Sequence, residues 1–296
     1  MPTSSFMRRP PTGFGFLFLG IVVGTAYGMV LAASWRRATG IGKPRDKSGP
    51  QEAVRPRVIC FGDSLTQYGF DVDRAGWLAL LAHWWERRFD VVNRGFSGYN
   101  TRWLLPLAEK LFVRDTAAAA PIELVMIFLG ANDCVLPGAA QHVPIEEYKN
   151  NLKAMIAHVR EVHPESKILL ITPPSIHVAK WAKHRALQQR KMDRELKVTM
   201  SYASACTEVA SEVSVPVVDA FETMGSGDQQ LADRYLHDGV HFTAEGNRAL
   251  FDRVKAVIVR VFPELDPFSG AAMPMQAPYW GDVDPDNPTE SVLRDL

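Results

Sequence analysis

VICFGDSLT, Val58 to Thr66, sets four consecutive apolar residues against a glycine, a carboxylate and a serine. The apolar run reads as a strand covered on both faces. Either it ends in an ordinary polar turn, or it presents Ser64 as a nucleophile.

Working outward, the same kind of run recurs at Val91 to Asn93, Leu124 to Leu129, Ile168 to Thr172 and Val215 to Asp219. Helical patterns fall between these runs. Trp77 to Arg88 reads as a helix, with packing as the role of at least two of Trp77, Trp84 and Trp85. Ile145, Tyr148, Leu152, Met155 and Val159 follow at alternating three- and four-residue steps, opposite Glu146, Glu147, Lys149 and Lys153. Val178 to Val213 holds a helix or a broken pair. Ala244 to Phe262 makes the last helix, with Thr243 as its N-cap. Strands alternating with helices predict an α/β fold, a three-layer α/β/α sandwich on a five-stranded parallel sheet. Ligands of such sheets gather at the carboxyl ends of the strands.

Composition narrows the class. The chain has 296 residues, 47% of them hydrophobic, with 33 basic side chains balancing 33 acidic ones. Such a chain builds a large core and carries no field that would draw nucleic acid, so a small uncharged partner is expected. Three cysteines, Cys60, Cys134 and Cys206, cannot all pair and read as reduced. Between Arg9 and Arg36 no residue is charged, and GFGFLFLGIVVGTAYGMVLAA is long enough to cross a bilayer. Residues 1–35 therefore read as a single membrane anchor, with signal cleavage near Ala32 to Ser34 as the alternative. Arg36, Arg37, Lys43, Arg45 and Lys47 after the span outnumber Arg8 and Arg9 before it, which favours a cytoplasmic main domain. The alternative places the domain in the secretory pathway. Residues 36–56 read as a polar linker, 57–262 as the main folded domain and 263–296 as a tail docked in part, through Tyr279 and Trp280.

Four segments stand at strand ends or at the end of the domain: FGDSL, NRGFSGYNT, GAND and DGVH. A serine hydroxyl is a poor nucleophile unless a histidine takes its proton and a third group orients that histidine. In DGVH, Asp238 can hold His241 Nδ1–H and leave Nε2 facing Ser64. Alone, that tetrapeptide is better read as a loop aspartate and a solvated histidine. A metal site on His237 and His241 lacks a third His or Cys ligand. Acyl transfer also needs oxyanion donors. Gly98 can bring its N–H close, Asn132 can add an amide and Ser64 its own N–H, although singly Gly98 also shapes a turn and Asn132 also caps the helix or loop after its strand. Neither the G-x-S-x-G elbow nor a G-K-[ST] phosphate loop is present.

Together, in order and type, these segments resemble the four motifs of the SGNH (GDSL) hydrolase superfamily. VICFGDSLTQ, NRGFSGYNTRW, FLGANDC, QHVPIEEYKNNL and LHDGVHFTAEGN resemble most its isoamyl acetate-hydrolysing esterase-like branch. The resemblance runs from about Arg57 to Phe262. It implies a flavodoxin-like sandwich and ester hydrolysis with no metal or cofactor. By the same resemblance Ser64, His241 and Asp238 form the triad, and Ser64, Gly98 and Asn132 the oxyanion hole. A small short-chain or acetyl ester is then the expected substrate, a lysophospholipid or acetylated sugar the alternative, and a non-catalytic binding module the rival from another class.

Other residues carry weaker readings. Asp63 accepts backbone hydrogen bonds beside the nucleophile. Tyr99, Trp103 and Trp181 are candidates for the substrate pocket, with His177 and His184 beside Trp181 in a candidate lid. Arg102 pairs with a carboxylate, near the site or on the surface.

Overall fold

A computed structural model describes residues 55–114, 120–270 and 272–293. The apolar span and nearly all of the linker lie outside the described residues. Among those described, no helix is long and apolar enough to cross a membrane.

Five parallel strands, β1 (Arg57–Gly62), β2 (Asp90–Gly95), β3 (Ile122–Phe128), β4 (Lys167–Ile171) and β5 (Val217–Val218), lie in the order 2-1-3-4-5. The chain steps outward from β1 to β2 and then returns across β1 to β3. The sheet therefore opens a crevice at the carboxyl ends of β1 and β3, the position where doubly wound sheets hold ligands.

The central strands β1, β3 and β4 are apolar over most of their length because helices cover both faces, whereas the edge strand β2 carries Asp90, Asn93 and Arg94. Val58 and Cys60 of β1 point to one side with Met126, Phe128, Leu169 and Ile171. Ile59 and Phe61 point to the other with Val125, Ile127, Ile168 and Leu170. The first face packs under α2 (Trp77–Trp84) and α9 (Ala244–Val261), through Leu78, Leu81, Leu250 and Val254. The second packs under α3 (Thr101–Leu111), α4 (Ile145–Val162) and α6 (Leu196–Glu212), through Leu104, Leu152, Met155 and Val209. Each fully buried aliphatic side chain contributes about 1.5–3 kcal/mol, so these two layers dominate stability.

Thr243 caps α9 as expected, its hydroxyl accepting from Gly246 N–H at 3.1 Å. The charged stretch after β4 divides into α5 (Val178–Leu187) and α6. All three cysteines are buried and unpaired. Trp77, Trp84 and Trp85 are all buried, and Trp77 Nε1 donates to Leu65 O at 2.9 Å.

Some expectations need correction. The helix predicted over Trp77 to Arg88 stops at Trp84, because Arg87 takes a left-handed conformation at φ 64°. Its guanidinium then donates to the carbonyls of Gln276, Ala277 and Pro278 at 3.1, 2.6 and 2.8 Å. The tail is thus tied down through its backbone, whereas Tyr279 and Trp280 are exposed. The fold also begins before Arg57: Pro56 O accepts from Asp90 N–H at 2.9 Å and Arg55 reaches Gln276 Oε1 at 2.8 Å.

Candidate active site

Ser64 opens the one-turn helix α1 (Ser64–Gln67), directly after β1. The Asp63 carboxylate caps this turn by accepting Leu65 N–H at 2.9 Å, as read from the sequence. Trp77 holds the same turn from α2 through Leu65 O, so Ser64 sits on a braced element.

From the far end of the chain, the loop between α8 (Gln229–Tyr235) and α9 brings Asp238 and His241 to it. Asp238 Oδ1 accepts Val240 N–H at 2.9 Å and His241 N–H at 2.8 Å, while Oδ2 lies 2.7 Å from His241 Nδ1. His241 Nε2 lies 2.9 Å from Ser64 Oγ. An aspartate facing Nδ1 fixes that nitrogen as N–H and leaves Nε2 as the acceptor. Burial raises the Asp238 pKa, but the hydrogen bond and charge of His241 and the two backbone donors outweigh it. Its carboxyl falls well below the ordinary range. Gly239 turns this loop at φ +103°, where an added Cβ would stand 2.5 Å from Trp181 N and 2.6 Å from His177 O. Only glycine fits there.

The loop after β2 bridges Ser64 to Asn132. Phe96 N–H donates to Gly62 O and Ser97 N–H to Gln67 Oε1, each at 2.8 Å. Gly98 follows at φ +82°, its carbonyl accepting from Gln141 Nε2 at 2.6 Å. Tyr99 O then accepts from Asn132 Nδ2 at 2.8 Å. Ser64 N–H and Gly98 N–H have no acceptor among the described residues. Asn132 lies in a turn after β3 rather than at a helix cap, and its Oδ1 accepts from Arg194 Nη2 at 3.2 Å.

Two buried carboxyls underlie these residues. Burial pushes the Asp63 carboxyl up to about 6, against the pull of Leu65 N–H and the charges of His241 and Arg194. Asp133 rises to about 7, chiefly through burial and further through the charge of Asp63. Hydrogen bonds from Thr101 N–H at 3.0 Å and Thr101 Oγ1 at 2.5 Å only partly offset this.

The remaining sequence candidates separate. Tyr99 and Trp103 meet edge to face at 5.9 Å and stay half-exposed beside Gly98, free to contact a substrate. Trp181 does not join them: it is buried, with Nε1 donating to Asp193 Oδ1 at 2.8 Å and His184 stacked on it at 5.1 Å. His177 caps α5, its Nδ1 accepting from Lys180 N–H at 3.0 Å. This segment is a braced wall and not an open lid. Arg102 pairs with Glu147 on the surface, at 2.5 and 2.6 Å. His237, Asp238 and His241 could offer a metal three ligand atoms, all within 4.8 Å of one another, but Asp238 and His241 already bond each other.

Three contributors escaped the sequence reading. Tyr68 stands edge to face with His241 at 5.6 Å and helps line a shallow cleft with Leu65, Arg74, His237 and Phe242. Asp133 is the silent last letter of GAND. Arg194 is buried although it lies in a run of exposed charged residues, where no pattern distinguishes it from Arg190 or Lys197.

Comparison with known proteins agrees with this architecture. The GDSL-like lipase/acylhydrolase family matches residues 60–249. An isoamyl acetate-hydrolyzing esterase 1 homolog of Bos taurus is 38% identical over 245 residues, covering 82% of this chain and 94% of the relative. A GDSL esterase/lipase of Arabidopsis thaliana is 36% identical over 247 residues, 80% of this chain and 98% of that one. Among solved structures, a member of the lipolytic G-D-S-L family from Veillonella parvula shares the fold. Its TM-score is 0.53 at 21% identity, covering 71% of this chain and 99% of that one. The chain belongs to the GDSL-like lipase/acylhydrolase family and is a carboxylic ester hydrolase.

Proposed function

We propose that the protein hydrolyses small carboxylic esters, short-chain or acetyl, through a Ser64–His241–Asp238 triad and an acyl-enzyme. The observation that carries this reading is His241, held by Asp238 at 2.7 Å on one nitrogen and 2.9 Å from Ser64 Oγ on the other. Ser64 Oγ attacks the ester carbonyl carbon as His241 Nε2 takes its proton. The oxyanion is met by the N–H groups of Ser64 and Gly98 and by Asn132 Nδ2, whose second hydrogen is not used by Tyr99. His241 then protonates the departing alcohol, and water repeats the sequence to release the acid.

A small substrate is supported by the name of the mammalian relatives, which points to an acetate ester of a small alcohol. Tyr99 and Trp103 form the apolar rim in this proposal. The assignment of 57–262 as the hydrolase domain and of 1–35 as a membrane anchor, with the domain on the cytoplasmic side, belongs to it on sequence grounds.

The test is hydrolysis of p-nitrophenyl esters from acetate to decanoate, and of acetylated sugars, by the full chain in mild detergent, with Ser64→Ala alongside. Activity on short esters that disappears in the variant is expected. A preference for long chains turns the reading to lysophospholipid, and activity confined to acetylated sugars turns it to that class. Undiminished hydrolysis by Ser64→Ala would contradict the mechanism.

A further inference from the structure

Arg194 lies in the loop just before α6, yet is only 4% exposed. Nη2 donates to Asn132 Oδ1 at 3.2 Å and Nη1 donates to Ala131 O. Nε finds no acceptor. One face of the guanidinium lies against Trp181, with Cζ 5.0 Å from the ring centroid. Trp181 is itself fixed by Asp193 Oδ1, and Asp193 Oδ2 is engaged by Arg185 at 3.0 Å. The neighbouring carboxylate is therefore committed elsewhere. Asp63 is within electrostatic reach of Arg194, but among the described residues no carboxylate stands at ion-pair distance from it.

A buried guanidinium ordinarily has a carboxylate partner, since removing it from water is costly. Here its nearest acceptors are two neutral carbonyl oxygens, both on the turn that carries Asn132. Those contacts also settle how the Asn132 amide is turned. Arginine has only donors, so Oδ1 must face it, and Tyr99 O only accepts, so Nδ2 must face that way. A positive charge without its counterion thus sits behind the carbonyl end of the amide. Negative charge develops during acyl transfer at the other end.

We infer that Arg194 is a positioning residue of the oxyanion site: it locks the Asn132 amide with Nδ2 forward, and its charge polarises that amide as the oxyanion forms. Trp181 is the clamp that holds it in place. This rests on the reading of Asn132 as an oxyanion donor. The stabilisation it gives grows with charge on the substrate oxygen, so it acts on kcat and leaves KM nearly unmoved.

The experiment is a double-mutant cycle on the full chain with p-nitrophenyl acetate, using Arg194→Gln and Arg194→Lys in the parent and in Asn132→Ala. Rates are normalised to the Ser64 that a fluorophosphonate labels, and near-ultraviolet circular dichroism reports folding. In the parent, Arg194→Gln is expected to lower kcat on the order of 10- to 100-fold with KM within about twofold, less than direct removal of an oxyanion donor. Arg194→Lys should fall between Gln and the parent. In Asn132→Ala neither change should lower kcat further. Trp181→Phe, which loosens the clamp and keeps the guanidinium, serves if Arg194→Gln does not fold: it should lower kcat in the parent alone. An unchanged kcat, a loss carried by KM, or equal losses in both backgrounds would overturn the inference. If Asn132→Ala itself keeps full kcat, the oxyanion reading fails first, and that result is distinct from additive losses.

Discussion

Ser64 Oγ and His241 Nε2 lie 2.9 Å apart although 177 positions separate the two residues. Each sits on a short braced element at the carboxyl end of the sheet. The geometry of the contact depends on Asp238, which holds the imidazole by its other nitrogen.

Asp238→Asn should therefore leave the fold intact and remove the tautomer that the reaction needs. An amide that turns its NH2 toward Nδ1 can no longer accept the imidazole N–H. We expect kcat for p-nitrophenyl acetate to fall about 10⁴-fold, with a small change in KM. Steady-state kinetics normalised to folded protein checks this.

Asn132→Ala should lower kcat by roughly 10²- to 10³-fold, again with little change in KM, since the amide acts on charge that exists only in the transition state. The same assay decides it. A KM effect alone would place Asn132 in ground-state binding.

Gly98→Ala and Gly239→Ala should separate activity from stability. At Gly98 an added Cβ meets nothing closer than Gln141 Nε2 at 3.6 Å, so the strain comes from φ +82° and falls on the N–H proposed as an oxyanion donor. At Gly239 the Cβ would collide with the backbone of α5 at 2.5 Å. A non-glycine residue held at positive φ costs about 1–3 kcal/mol, and the collision adds to it. Thermal melts should show Gly239→Ala as the less stable variant, while Gly98→Ala loses more activity for each kcal/mol of stability lost.

Stability should fall as pH rises from about 4 to about 7. In that window the folded protein holds protons on Asp63 and Asp133, raised to about 6 and about 7 from 3.8, that the unfolded chain has released. The folded state therefore binds more protons, and its advantage shrinks until both carboxyls have ionised. Asp133→Asn should flatten part of this slope in urea melts across that pH range. Asp238 has the opposite sign: its lowered carboxyl adds stability at neutral pH that is lost at the acid end.

The sheet was legible because strands covered on both faces must be apolar at every position, as Val58–Phe61 and Leu124–Leu129 are. The contact of Ser64, His241 and Asp238 was legible because serine chemistry would require a base and an orienter, and DGVH offers both within four residues. Helix α3 escaped because Pro106 interrupts its pattern, although Asn100 caps it by accepting Trp103 N–H at 2.9 Å. Trp181 and Arg194 were hidden for a different reason. A tryptophan near a strand end reads as a pocket wall and an arginine among lysines reads as solvated; only the third dimension stacks one on the other beneath Asn132. The tail shows the same limit, since its attachment runs through main-chain carbonyls that no side-chain pattern reveals.

The most direct measurement is mass spectrometry of the full chain quenched during turnover of p-nitrophenyl acetate, with the acetylated peptide sequenced. The account requires acetyl on Ser64 alone, absent from Ser64→Ala and reduced in His241→Ala. Acetyl on another residue at a rate matching turnover, or hydrolysis that persists in Ser64→Ala, would contradict it.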